Sequence, residues 1–236
     1  MADEKIIKVK KHKSFGKSFL GTLIFLGILV LAGLTSFYVV DETEQAVITR
    51  LGRYSYTTGA GLDWMAQNLA YAEKGYSYYD SEVLDDLFGR YYTWREAKES
   101  CPEGWRLPTN EEFLAFNNAF SSPAGTSAMT TFKQGAGAHM ANAYFNSNRM
   151  WEYWPDVEPR NTSGFSLIPL GYIAIQDTDL AYMEVMRYAL FWTADERDAD
   201  QAYFRSVYMK YDTISCEPGY KDYMALNVRC VRDHKD

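Results

Sequence analysis

The stretch Cys101-Pro-Glu-Gly-Trp-Arg-Leu-Pro-Thr109, continued by Asn110-Glu-Glu-Phe-Leu-Ala-Phe-Asn-Asn-Ala-Phe120, decides how the chain is read. Thr109 with Glu112 three residues later is a capping box, Pro108 restricts the backbone just before it, and Phe113, Phe116 and Phe120 repeat at helical spacing. A helix with an aromatic face therefore starts at Thr109. Upstream, Trp94-Arg-Glu-Ala-Lys-Glu-Ser-Cys101 places Trp94, Ala97 and Cys101 on one face of a second, shorter helix.

Downstream the texture changes. Residues 121–160 are rich in Ser, Gly, Ala, Asn and aromatics and read as a long irregular region. Strand signals resume at 164–169, 171–175, 186–192, 202–209 and 225–232, each a short β-favouring run. Two helices followed by strands with long loops predict an α+β domain with a small, mostly antiparallel sheet. The 236 residues are 47% hydrophobic and 16% aromatic, with 19 Tyr and 6 Trp, which excludes disordered and collagen-like chains. Lys and Arg total 24 against 31 acids, a net charge of -7, so phosphate-backbone attraction is not expected and nucleic acid is not a predicted partner.

Charge is unevenly distributed. Residues 1–18 hold six lysines (Lys5, Lys8, Lys10, Lys11, Lys13, Lys17) against Asp3 and Glu4, and residues 19–40 contain neither a charge nor a proline. At about 1.5 Å per residue such a run crosses a hydrocarbon core of roughly 30 Å. One transmembrane helix is predicted, with the lipid bilayer as its partner. The lysines place the N-terminus in the cytoplasm and everything beyond Val40 on the periplasmic or extracellular side. A cleaved signal peptide is the alternative, although its apolar region is usually only about 7 to 15 residues long. The three cysteines fall on the far side, where oxidising conditions permit at most one bridge; three buried thiols are the other possibility. His12, His139 and His234 are scattered, so no zinc site is read.

The motif Val40-Asp-Glu-Thr-Glu-Gln-Ala-Val-Ile-Thr-Arg-Leu-Gly-Arg-Tyr54, with Gly59-Ala-Gly-Leu62 after it, resembles the start of the stomatin/prohibitin/HflC family of membrane scaffolds. The likeness spans about residues 20–62, without the rest of that domain or its helical assembly region. Residues 41–62 read as a short stalk. The resemblance also implies a second function: an accessory of stomatin/HflC-type scaffolds that modulates membrane proteolysis, with such a scaffold as partner.

Further motifs occur in fixed order: Trp64-Met-Ala-Gln-Asn-Leu69, Phe88-Gly-Arg-Tyr-Tyr-Thr-Trp94, the Cys101–Thr109 run, Asn161-Thr-Ser-Gly-Phe-Ser-Leu-Ile-Pro169, Phe191-Trp-Thr-Ala-Asp-Glu196, Ala202-Tyr-Phe-Arg205 and Val228-Arg-Cys-Val-Arg-Asp233. Together they resemble the Fibrobacter succinogenes major paralogous domain over about 63–234, which implies a C-type-lectin-like fold for 63–236. The resemblance also implies a Cys101–Cys230 disulfide. Closing 128 intervening residues, it would contribute on the order of 3 to 5 kcal/mol. Trp94, Trp105 and Trp192 read as core.

In lectin-like folds the late loops and strands form a ligand face, which retroelement-diversified members vary. Here that face comprises Tyr188, Asp195, Arg197, Asp198, Asp200, Gln201, Tyr208, Lys210 and Tyr211. Tyrosines offer rigid amphipathic area, and short polar groups offer adaptable hydrogen bonds. Asp195, Glu196, Asp198 and Asp200 offer hard oxygens, but the calcium-lectin sugar motifs are absent and no metal or cofactor is predicted. Sugar stacking on Trp151, Tyr153 and Trp154 is a further option. No Ser/His/Asp set or phosphate loop is legible, so the expected role is binding a protein or glycan, not catalysis.

Overall fold

A computed structural model of the chain describes residues 56–71, 73–121, 127–151 and 157–235. The expected basic tail, the 19–40 membrane helix and most of the 41–62 stalk lie outside the described residues. Among the described residues, no helix is long and apolar enough to cross a membrane.

The chain runs β1 (Tyr56–Gly59), β2 (Leu62–Met65), α1 (Asp85–Phe88), β3 (Tyr92–Thr93), α2 (Trp94–Ser100), α3 (Asn110–Phe120), α4 (Ala136–His139), β4 (Tyr144–Phe145) and β5 (Asn148–Arg149). It continues as β6 (Tyr172–Gln176), β7 (Asp179–Met183), β8 (Tyr188–Glu196), β9 (Gln201–Tyr208), β10 (Ile214–Tyr220), β11 (Met224–Leu226) and β12 (Val231–Asp233). Two 3-10 turns, Tyr78–Asp80 and Glu82–Leu84, precede α1. Among the described residues the strands form four antiparallel sheets, ordered β1-β2-β12, β10-β9-β8, β3-β11-β6-β7 and β4-β5.

This corrects the expected fold. The domain is mostly β, and its four small sheets do not make the two-helix α+β, C-type-lectin-like body that the sequence resemblance implied. The physical reason lies in short strands that carry no strong β signal. Residues 214–220, Ile-Ser-Cys-Glu-Pro-Gly-Tyr, form a whole strand, with Pro218 tolerated because β10 is an edge. The expected strand at 164–169 is irregular, and 225–232 is split between β11 and β12.

Both anticipated helices do form. Each starts with a complete capping box, Thr93 with Glu96 for α2 and Thr109 with Glu112 for α3. Glu112 also forms a two-pronged pair with Arg106 at 2.6 and 2.8 Å, fixing the approach to α3. At the other end of the sequence, residues 56–62 are built into the domain. β1 pairs with β2, and Thr57 Oγ1 donates to the Ser163 carbonyl at 2.6 Å.

Packing follows the two-residue period of β8. Ala189 and Phe191 face a cluster that includes Trp64, Phe113, Phe116, Phe132, Trp151 and Phe165. Leu190 and Trp192 face a second cluster with Trp94, Phe204 and Cys230. The β8–β10 sheet thus divides the core. Trp192 Nε1 donates to the Tyr92 carbonyl and Trp94 Nε1 to that of Thr193, both at 2.8 Å, so both indoles satisfy their N–H groups internally. Trp105 is only half-buried and flanks Arg232, whose guanidinium carbon lies 4.5 Å from its ring centroid and 4.9 Å from that of Tyr56.

Two buried arginines bind irregular segments to this framework. Arg205 donates to Asn110 Oδ1 at 2.7 Å and to the carbonyls of Thr130 and Ala128, over the Phe132 ring. Arg229 donates to Asn68 Oδ1 and to the carbonyls of Met65, Phe165 and Ser166. Burial lowers Arg205 to about 10 and Arg229 to about 9, so both remain cationic near neutrality. Cys101, at the end of α2, is bridged to Cys230 with the Cα atoms 5.9 Å apart.

Candidate functional site

The nine residues read from the sequence as one face occupy opposite ends of the β8–β9 hairpin. Asp195, Arg197, Asp198, Asp200 and Gln201 lie at its connecting loop. Tyr188 and Tyr208 pair across its open end, with Lys210 and Tyr211 just beyond. Nine residues of strand separate the ends by roughly 25 Å, at about 3.3 Å per residue. They make two surfaces.

The loop end is built around Lys221, which is 1% exposed. Its ammonium donates to Glu196 Oε2 and the Asp198 carbonyl, both at 2.6 Å, and to the Ala199 carbonyl at 3.1 Å, while lying 4.7 Å from the Trp94 ring centroid. The Lys221 hydrogen bond holds the Glu196 carboxyl below its usual range. Asp198 Oδ1 accepts the backbone N–H groups of Asp200 and Gln201 at 2.9 and 2.8 Å, and the Lys221 N–H bonds to the Asp200 carbonyl at 2.9 Å. The loop backbone is fixed from beneath.

Asp195 is committed inward. Its Oδ2 accepts from the Asn110 N–H at 2.6 Å and from Asn110 Nδ2 at 3.0 Å, joining the loop to the start of α3. Two of the aspartates considered as hard-oxygen ligands are therefore tied up in structural bonds. Arg197 and Asp200 stay exposed, and so do two tyrosines outside the expected set, Tyr220 (53%) and Tyr223 (64%), with ring centroids 6.4 Å apart. Asp222 of the same turn pairs with Arg95 of α2 at 2.7 Å. Tyr220-Lys-Asp-Tyr223, a charged dipeptide flanked by tyrosines after a strand, is the sequence signal that would have found this turn.

At the opposite end, Tyr188 and Tyr208 stack at 4.5 Å with an interplanar angle of 25°, and Tyr211 tilts onto Tyr208 at 5.6 Å. Tyr211 is exposed, whereas Tyr188 and Tyr208 pack partly on the two core clusters. Burial raises the Tyr188 phenol above its usual range, with the neighbouring Tyr208 adding to the shift.

Away from the hairpin, His139 is fully enclosed and Cys216 half-buried, while His234 pairs with Asp63 at 2.6 Å and stays partly exposed. His139 Nδ1 lies 2.8 Å from Ser163 Oγ and Nε2 lies 3.0 Å from Asn117 Oδ1, an arrangement that resembles a catalytic triad in its order of groups. It is walled by Phe113, Phe116, Phe120 and Phe165, and burial lowers His139 to about 3. A neutral, sealed imidazole serves packing. Cys216 is not in a disulfide; its Sγ lies 3.7 Å from Asn110 Oδ1, and burial raises the thiol despite the opposing Arg205 charge. Trp151 is fully buried, while Tyr153 and Trp154 lie outside the described residues.

No curated protein and no solved structure matches this chain. Residues 58–232, which include part or all of every strand described above, match the Fibrobacter succinogenes major domain, and the chain belongs to that family.

Proposed function

We propose that this protein is a membrane-tethered recognition module that binds a protein or glycan outside the cytoplasm, through the surface formed by the 195–201 loop and the 220–223 turn. The observation that carries this reading is the rigid seat made by Lys221. A buried ammonium occupied by three acceptors orders the loop before any ligand arrives, which lowers the entropic cost of association. The exposed Tyr220, Tyr223, Arg197 and Asp200 supply aromatic area and adaptable polar contacts on that seat. The lysine-flanked apolar run at 19–40 supports a single-pass anchor, and the Cys101–Cys230 bridge supports an oxidising compartment. The enclosed His139 supports binding rather than catalysis.

The test is to probe glycan and protein arrays with the full-length protein in nanodiscs, beside the Tyr220→Ala/Tyr223→Ala variant. A hit that the variant loses, with its melting temperature unchanged, is the expected result. Identical profiles for both proteins would refute the assignment of the surface.

A further inference from the structure

A third surface has no part in that reading. Tyr79 is 55% exposed and its ring stacks on Tyr182 of the edge strand β7, with centroids 4.3 Å apart and an interplanar angle of 17°. Tyr79 and Asp80 occupy the left-handed region in succession, at φ +46° and +57°. That conformation is costly for residues with a Cβ, and bulky aromatics seldom adopt it.

Core filling does not explain the strain, because the neighbouring Tyr78 already points inward, 5.0 Å from Phe88. The reversal at Tyr79 and Asp80 turns the Tyr79 ring outward, edge-on to Tyr78 and flat on Tyr182. Tyr182 is itself fixed: its hydroxyl donates to the Ser77 carbonyl at 2.8 Å and accepts from the Asp80 N–H at 3.2 Å. The Asp80 carboxylate sits at the rim of the stack, 3.4 Å from the same hydroxyl, and is exposed. Backbone strain of this kind clusters at binding and active sites.

We infer that Tyr79 and Asp80, backed by Tyr182, form a binding platform for a neutral pyranose oligosaccharide. The open face of Tyr79 takes the apolar C–H face of a sugar ring, and Asp80 accepts a hydrogen bond from a ring substituent and disfavours anionic sugars. The site is distinct from the 195–201 loop and stands or falls separately.

Full-length protein in nanodiscs should be titrated calorimetrically with cellohexaose and with chitohexaose, two β-1,4-linked chains of flat pyranose rings. Binding of at least one is expected. Tyr79→Asn, which removes the ring but tolerates the backbone conformation, should weaken it at least tenfold without lowering the melting temperature. Asp80→Asn should weaken it severalfold, and Tyr220→Ala/Tyr223→Ala should leave it intact. The proposal is overturned if the wild type binds neither sugar, or if Tyr79→Asn binds as tightly as wild type. It is equally overturned if sedimentation shows self-association that Tyr79→Asn abolishes. Should Tyr79→Asn melt earlier, Asp80→Asn decides: unchanged sugar affinity there also overturns the assignment.

Discussion

The two ends of the β8–β9 hairpin reach order by opposite means. At the loop end, one buried ammonium collects a carboxylate and two carbonyls, and an aspartate caps two backbone N–H groups. At the open end, three tyrosines lean on one another with no ion pair among them. Directional polar bonds specify one backbone geometry, whereas stacked rings tolerate sliding. The comparison teaches that a surface suited to selective recognition needs its geometry fixed from below, and of the two ends it is the loop end that rests on a buried charge.

The largest effect should strike both ends alike. Replacing Cys101 and Cys230 by serine releases a tether between residues 129 apart in sequence and should cost about 3 to 5 kcal/mol in chemical denaturation. A loss confined to one end in hydrogen exchange would break the comparison, because the bridge belongs to their shared core.

Acid should act on the same core. Folded His139 titrates at about 3 against 6.5 in the open chain, so between those values the unfolded state binds the extra proton. This contribution is fully present above about pH 6.5 and falls by about 1.4 kcal/mol per unit below it. Denaturation midpoints measured from pH 7 to 4 should therefore decline more steeply than those of His139→Gln, in which the slope should flatten.

Effects then become local. Lys221→Met leaves the Asp198 and Ala199 carbonyls without their donor and should cost about 2 to 3 kcal/mol, with amide exchange accelerated over 196–201 and unchanged at 208–211. Tyr208→Ala should cost about 1 to 2 kcal/mol and loosen only the open end. If either variant loosens the far end as much as its own, the hairpin is one cooperative unit and the distinction between its ends fails.

Much of this architecture was legible in residues whose signals are local. Thr109 with Glu112 announced α3, and the Phe113, Phe116 and Phe120 repeat gave the helix face. The ordered motifs placed the Cys101–Cys230 bridge through family resemblance. The sheet arrangement was not legible. β10 contains Glu217, Pro218 and Gly219 and owes its existence to seven cross-strand pairs with β9, which no local propensity encodes. The candidate face was half legible. A linear reading picks out residue types suited to contact, but it cannot tell that residues 195–201 and 208–211 cap opposite ends of one hairpin, or that Asp195 turns inward to Asn110. Lys221 escaped notice because nothing in the sequence distinguishes a buried lysine from a solvated one. Its partners come from 20 or more residues away.

Array binding by three full-length proteins, wild type, Lys221→Met and Tyr211→Ala, tests the central claim most directly. The account predicts that Lys221→Met loses the wild-type ligand although it removes no exposed contact, and that Tyr211→Ala keeps it. Retention by Lys221→Met together with loss by Tyr211→Ala would contradict it and move recognition to the tyrosine end.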